Sequence, residues 1–398
     1  MARTARQHAL VLDVGTTGVK ALVFDGVMAV VAKSYLPLGK RSPKRGWVEQ
    51  DPAELAAKSV RVLRAALKDS GLSARAFVGL GITNQRETTI LWDKKTGRPV
   101  APAIVWEDSR TARFCARLRP KYGEMARRKT GLAIDPYFSA TKVRWLLDNV
   151  PAAARLARGG RLAFGTVDAF LLQRLCTGAP HRTDVTNSSR TLLYDIARRR
   201  WDDDLLRVFG VPEDVLPEAL PSRAAFGELL PGILGAKVPV VAVCGDQQSS
   251  GYAASREAAR LRLAGPVTKV TFGTGIFLSQ EVRSANVRVP GFFTTLMPGR
   301  RGATVAAVEQ KIGDCAKEVS ARLGDDRALR AYFDGVAVRI AALIRKLPAR
   351  PRAIIVDGGA SRDGIAAAAL EAATGIPMRP QRVYDGTALG TALLVAGK

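Results

Sequence analysis

Residues 81–89, reading Gly81-Ile82-Thr83-Asn84-Gln85-Arg86-Glu87-Thr88-Thr89, set an arginine beside a glutamate between two apolar segments. Positions 78–82 and 88–92 each read as a buried strand. Both charges must then leave water together, at a cost of roughly several kcal/mol unless each finds partners. A strand interior rarely keeps such a pair for stability alone. A small hydroxylated ligand suits it, because Arg86 donates in a fork while Glu87 only accepts. The plainer alternative is a structural ion pair at a strand end. Asp246 is a second candidate, since it follows an apolar strand at 238–243, where α/β sites commonly form. A turn or a helix cap would use the same Gly-Asp pair equally well.

Two further segments suit phosphate. Asp13-Val14-Gly15-Thr16-Thr17-Gly18 interrupts an extended pattern running through 9–12 and 19–24, and Gly273-Thr274-Gly275 interrupts another through 267–272 and 276–279. Glycines let a backbone come close to an oxygen cluster and aim successive N–H groups at it, and threonine hydroxyls add donors. Asp13 stands where it could hold a metal-bound water near those oxygens. Neither turn fits a P-loop or a dinucleotide fingerprint, and each alone could be an ordinary hairpin. Their recurrence, each followed by further strand and helix alternation, points to an α/β protein of two related domains.

Composition agrees. The 398 residues are too many for one ordinary core, and 47% hydrophobic with 24% charged content is that of a globular protein. The start is basic but fits no secretory signal, and no apolar stretch is long enough to span a bilayer, so a cytoplasmic protein is expected. Cys115, Cys176, Cys244 and Cys315 lack metal-site spacing, and with only His8 and His181 a histidine base is not expected. The net charge of +25 is spread along the chain without aromatic interleaving, so no nucleic-acid partner is expected. A positive field still favours the approach of anionic nucleotides.

The chain resembles the glycerol kinase branch of the FGGY carbohydrate kinase family. The resemblance rests on Gly46-Trp47-Val48-Glu49-Gln50-Asp51-Pro52, the Asn84-Gln85-Arg86-Glu87-Thr88 box, Ile104-Val105-Trp106, and the run from Thr130 through Asp135-Pro136-Tyr137 to Lys142. It continues in Gly165-Thr166-Val167-Asp168, Asp184-Val185-Thr186-Asn187-Ser188-Ser189-Arg190-Thr191 and Gly245-Asp246-Gln247-Gln248. It implies two actin-like (ribonuclease-H-like) domains flanking an ATP cleft, at 1–248 and 249–398. It also implies transfer of a phosphoryl group from Mg-ATP to glycerol, giving sn-glycerol 3-phosphate. By position, Asp246 matches the general base. Arg86, Glu87, Tyr137, Asp246 and Gln247 match contacts to the glycerol hydroxyls, and Trp106 and Phe277 match the apolar walls. Thr16, Thr17, Gly18, Lys20, Thr274, Gly313, Gly359 and Asp363 match nucleotide contacts, and Asp13 and Asp246 match the Mg²⁺ positions. The partners implied are glycerol and ATP, with a homodimer as the assembly and neither nucleic acid nor membrane.

The chain also departs from that family. Lys20 stands where the family has arginine, keeping the charge but not the fork, and Asp363 stands where it has asparagine. A helix is expected over 303–323, leading almost directly into 327–347. The family's intervening strand and glycine-rich loop with its A-P-Y-W-D segment, and its G-L-T box, are missing. A shortened second domain is therefore expected, with its sheet intact and its adenine side more open. Two other functions fit less well. The Arg86-Glu87 box argues against a kinase for another small polyol or ketose. Asp13, Asp246 and both turns argue against a non-catalytic actin-like nucleotide-binding protein.

Overall fold

The computed structural model describes residues 7–299 and 303–398; the basic start at 1–6 lies outside the described residues, as does Gly302. Its frame is two six-stranded sheets of one design. In the first, His8–Val14 and Gly18–Phe24 form an antiparallel hairpin that Val30–Pro37 extends. On the other side Phe77–Asn84 and Pro239–Gly245 join in parallel, and Arg223–Glu228 closes the edge antiparallel. The second sheet repeats five strands of this order and carries its sixth at the opposite edge. Thr268–Phe272 and Gly275–Val282 form the hairpin, Thr304–Asp314 and Phe293–Pro298 extend it antiparallel, and Ile354–Asp357 and Met378–Pro380 join in parallel. The expected α/β architecture with two related sheets and a hairpin in each is what the chain adopts.

The central strands are apolar without a break because both faces of the first sheet are covered. Leu10, Leu12 and Ile82 pack under the helices Pro52–Ser70 and Val167–Leu175, while Ala9, Val11 and Phe24 pack under Asp246–Arg260 and Gly386–Ala396. The first of these helices carries its own signals. The Asp51 side chain accepts from the Ala53 amide, Pro52 opens the first turn, and Gly71, at φ 66°, ends the last. A separate core holds Leu132, Phe138, Val143 and Phe209 between the helices Ala112–Thr130 and Ser139–Asn149 and their neighbours. The helices Asp326–Ile344 and Ile365–Thr374 pack on the second sheet.

One expectation is corrected. Residues 303–323 are not a helix: 304–314 form a strand paired on both edges, and only Ala316–Ser320 is helical. Alanine, glutamate, glutamine and lysine favour a helix locally. Here Thr304, Val305, Val308 and Ile312 are β-branched, and two neighbouring strands offer complete hydrogen-bond ladders, so tertiary pairing outweighs local preference. Among the described residues no helix is long and apolar enough to cross a membrane.

The helices Asp246–Arg260 and Gly386–Ala396 lie back to back, and both begin at the cavity described below. They meet at Gly390, where a Cβ would overlap the Ser249 carbonyl oxygen. Overpacking at a backbone-to-backbone contact costs about 1–3 kcal/mol. Gly390→Ala should therefore lower the denaturant midpoint of unfolding by a corresponding amount, and an unchanged midpoint would show that the helices do not pack this closely.

Candidate active site

A cavity of about 360 Å³ is lined from both sheets. Asp13, Thr16, Thr17, Gly18 and Lys20 reach it from the first hairpin, Thr274 from the second, and Gly359 from the loop after Ile354–Asp357. Arg86, Glu87, Trp106, Tyr137, Asp246, Gln247 and Phe277 line the same space. Two expected nucleotide contacts do not. Gly313 is held in the strand opposite Ile276, and it is its neighbour Asp314 that faces the cavity. Asp363 is exposed and accepts from the Ile365 amide at the start of a helix, while Arg362 lines the cavity in its place.

Specific bonds tie the charged box to the first turn. Trp106 Nε1 donates to Thr16 Oγ1 at 2.8 Å, and its ring meets Tyr137 edge-on at 5.6 Å. Gln85 donates to Gln50 Oε1 at 2.7 Å, and Gln50 donates to the Thr16 carbonyl at 2.8 Å. Gly245 ends the strand before Asp246 because the Arg86 stem lies across it; a Cβ there would stand 2.8 Å from Arg86 Cδ. Asp246 then opens its helix, with one third of its side chain open to the cavity. Burial raises its pKa to about 6, with Arg86 pulling it down and Glu87 pushing it up.

Arg86 and Glu87 are both buried, as their setting predicted, but they do not pair with each other. Arg86 Nη1 donates to Glu309 Oε1 and Oε2 at 2.8 and 2.9 Å, and its Nε lies 3.1 Å from Asp246 Oδ1. Glu87 Oε1 accepts from Arg190 Nε at 2.5 Å, and Arg190 Nη2 lies 3.5 Å from Glu309. The four charges alternate in sign along an open row, Arg86–Glu309–Arg190–Glu87. Burial works against the Glu309 carboxylate, yet Arg86 and Arg190 hold its pKa below the usual range.

Glu87 also has a left-handed backbone, at φ 62°, a conformation that costs about 1–3 kcal/mol outside glycine. Its carbonyl accepts from Thr89 Oγ1 at 3.1 Å, Ser139 Oγ at 3.3 Å and Lys142 Nζ at 3.3 Å, which hold it there. Lys142 is fully buried, and that burial lowers its pKa to about 8. Beside the first glycine-threonine turn, Lys20 lies 3.1 Å from Asp13 and donates to Asp385 at 2.6 Å. Burial opposes the Lys20 charge, but the two carboxylates outweigh it and raise its pKa.

Glu309, Arg190, Lys142 and Asp385 carry no role in the sequence reading. Arg190 lies in the segment from Asp184 to Thr191, and nothing in that segment points to Glu87, 103 positions before it. Glu309 was hidden by the helix assigned to its segment; it is buried because positions 306–309 of the strand are covered on both faces.

The model of the FGGY family of carbohydrate kinases, N-terminal domain, matches residues 8–252. Among sequence relatives, the glycerol kinase of Bordetella parapertussis is 44% identical over 285 residues, 71% of this chain and 55% of that protein. The glycerol kinase of Ectopseudomonas mendocina is 44% identical over 310 residues, 77% of this chain and 61% of that one. The chain thus spans little more than half the length of these curated relatives. Among solved structures, Plasmodium falciparum glycerol kinase with ADP has a TM-score of 0.86 at 24% identity, covering 98% of this chain and 89% of that one. Xylulose kinase from Rhodospirillum rubrum has a TM-score of 0.83 at 19% identity, with the same coverage. Both share the fold of this chain. With the family's first domain matched along more than half its length, this chain belongs to the FGGY family of carbohydrate kinases.

Proposed function

We propose that this protein transfers the γ-phosphoryl group of ATP to a terminal hydroxyl of glycerol, giving sn-glycerol 3-phosphate. One observation carries the reading: a carboxylate, a buried arginine–glutamate box and two glycine-threonine turns share a single cavity. The relatives with 44% identity are named glycerol kinases.

In this reading Arg86 donates to the acceptor hydroxyls and Glu87 accepts from them, while Trp106 and Phe277 wall the carbon skeleton. Asp246 takes the hydroxyl proton as the oxygen forms its bond to phosphorus and the bond to the β-phosphate oxygen breaks. Such a transfer has a loose transition state, so the protein mainly positions the reactants and stabilises charge. The amides and hydroxyls of Thr16, Thr17, Gly18 and Thr274 suit the phosphate oxygens, and Lys20 adds a cation. Gly359 and its loop suit the adenosine.

A divalent metal fits the donors present. Mg²⁺ takes one or two carboxylates and keeps waters and substrate phosphates for its other positions. Asp13 and Asp246 face the cavity, and the buried Asp357 Oδ1 beside them has no hydrogen-bond partner. Asp13 and Asp246 would hold the ion through water, and when bound it supplies neutralising charge to the β and γ oxygens. The two halves, 1–248 and 249–398, would carry the acceptor box with the first turn and the second turn with the adenosine loop. Glu309, which crosses to the acceptor box, and the helix Gly386–Ala396, which packs on the first sheet, blur that division.

A coupled assay with glycerol, dihydroxyacetone and xylulose tests the acceptor. Glycerol should be turned over best, and Asp246→Asn should lose about 10²–10⁴-fold in kcat, the usual contribution of a positioned base. Turnover of a ketose alone would contradict the assignment, as would full activity in the Asp246→Asn variant. The pH profile gives a second check. Asp246 accepts a proton only when ionised, so with its pKa raised to about 6, kcat/KM should fall as the pH drops through that value. A flat profile down to pH values of about 5 would remove Asp246 from the base role.

A further inference from the structure

Glu309 reaches the acceptor box from the other half of the molecule. It sits in the strand Thr304–Asp314, opposite Ser279 on one side and Phe293 on the other. Arg86, Glu87 and Arg190 all precede the second sheet in the chain. The geometry points to Glu309 as a positioning residue that turns the Arg86 fork away from Asp246 and toward the acceptor. This role rests on the kinase reading above and names the group that keeps its base free.

Arg86 has five N–H donors in a rigid plane. Nη1 is taken by both Glu309 oxygens, at 2.8 and 2.9 Å, and by Gln248 Oε1 at 3.3 Å. Nε lies 3.1 Å from Asp246 Oδ1 but makes no hydrogen bond, and Arg86 faces the cavity with what remains. Among the described residues, Glu309 and Asp246 are the carboxylates within ion-pair distance of Arg86. Arginine and carboxylate favour a two-bonded fork. Without the Glu309 charge, Asp246 is the partner left for that fork, and two strong donors would occupy the oxygens that must receive the proton.

Glu309 is itself held in place. Arg190 Nη2 lies 3.5 Å from it, and Arg190 is fixed in turn by Glu87 and by the rings of Tyr137, Phe138 and Phe293, at 5.6, 5.1 and 5.5 Å. A carboxylate placed for stability alone would not need to be buried with both its oxygens on one guanidinium nitrogen. One that sets the direction of a fork does.

Glu309→Gln keeps the shape and removes the charge. The folded variant, checked by its melting curve, should lose about 100-fold in kcat on glycerol, the scale of a misplaced reacting group. Its affinity for ADP, measured by titration, should stay within about twofold of the parent. Glu309→Asp restores the charge one methylene short and should recover part of the rate. A purely structural role would lower the melting temperature of both variants and leave kcat intact in the folded enzyme; that result overturns the proposal. If Glu309→Gln does not fold, the Glu309→Asp variant decides, and parental kcat there overturns the proposal equally. If the unmodified chain phosphorylates no alcohol while still binding ADP, the kinase reading has failed first, and the role of Glu309 falls with it.

Discussion

Two arginines and two glutamates, buried and alternating in sign, are the constraint around which the rest of the molecule is arranged. Each would be strongly unfavourable in the interior without the others, because desolvation of an isolated charge far exceeds any packing gain. Arg86 and Glu87 arrive on one loop, Arg190 from a loop after a short helix, and Glu309 from the second sheet. This row of charges is complete only when both halves of the molecule are folded against each other. Placement of the Arg86–Glu87 box is therefore a property of the whole fold and cannot belong to the first sheet alone.

The surrounding elements make that placement stiff. The first hairpin is pinned to the Arg86–Glu87 box through Trp106, Gln50 and Gln85, so the glycine-threonine turn and the charged pair share one frame. Glu87 is forced into a left-handed conformation and kept there by three donors to its carbonyl. A further polar chain lies under the second turn. Lys269 donates to Ser250 at 2.8 Å and Thr271 at 2.7 Å, and Ser250 donates to Asp357. Burial lowers the Lys269 pKa, with Asp357 and Glu309 opposing the fall.

Much of this was legible in the residues. The two hairpins follow from apolar runs broken by glycine and threonine, and the convergence of Asp13, Asp246 and both turns from the family resemblance. What stayed hidden has physical causes. The strand over 304–314 has helix-favouring composition, and only its two neighbours make it a strand, so Glu309 could not be turned inward by local reasoning. The partners of Arg86 and Glu87 lie more than a hundred positions away along the chain, and spacing says nothing about contacts of that range. Asp363 was assigned by position alone, and its exposed carboxylate accepts from the Ile365 amide instead. The positive φ of Glu87 leaves no mark on composition.

The backbone contact at Gly390 has an electrostatic outcome. It fixes side by side two helices whose first residues, Asp246 with Gln247 and Gly386 with Thr387, border the same cavity. Peptide dipoles add along a helix, so each of these ends presents about half a positive charge to the space in front of it. Asp13, Asp246, Asp357 and Asp385 would otherwise make that space repel a polyanion. The paired amino-terminal ends offset that repulsion without adding another cationic side chain to the wall.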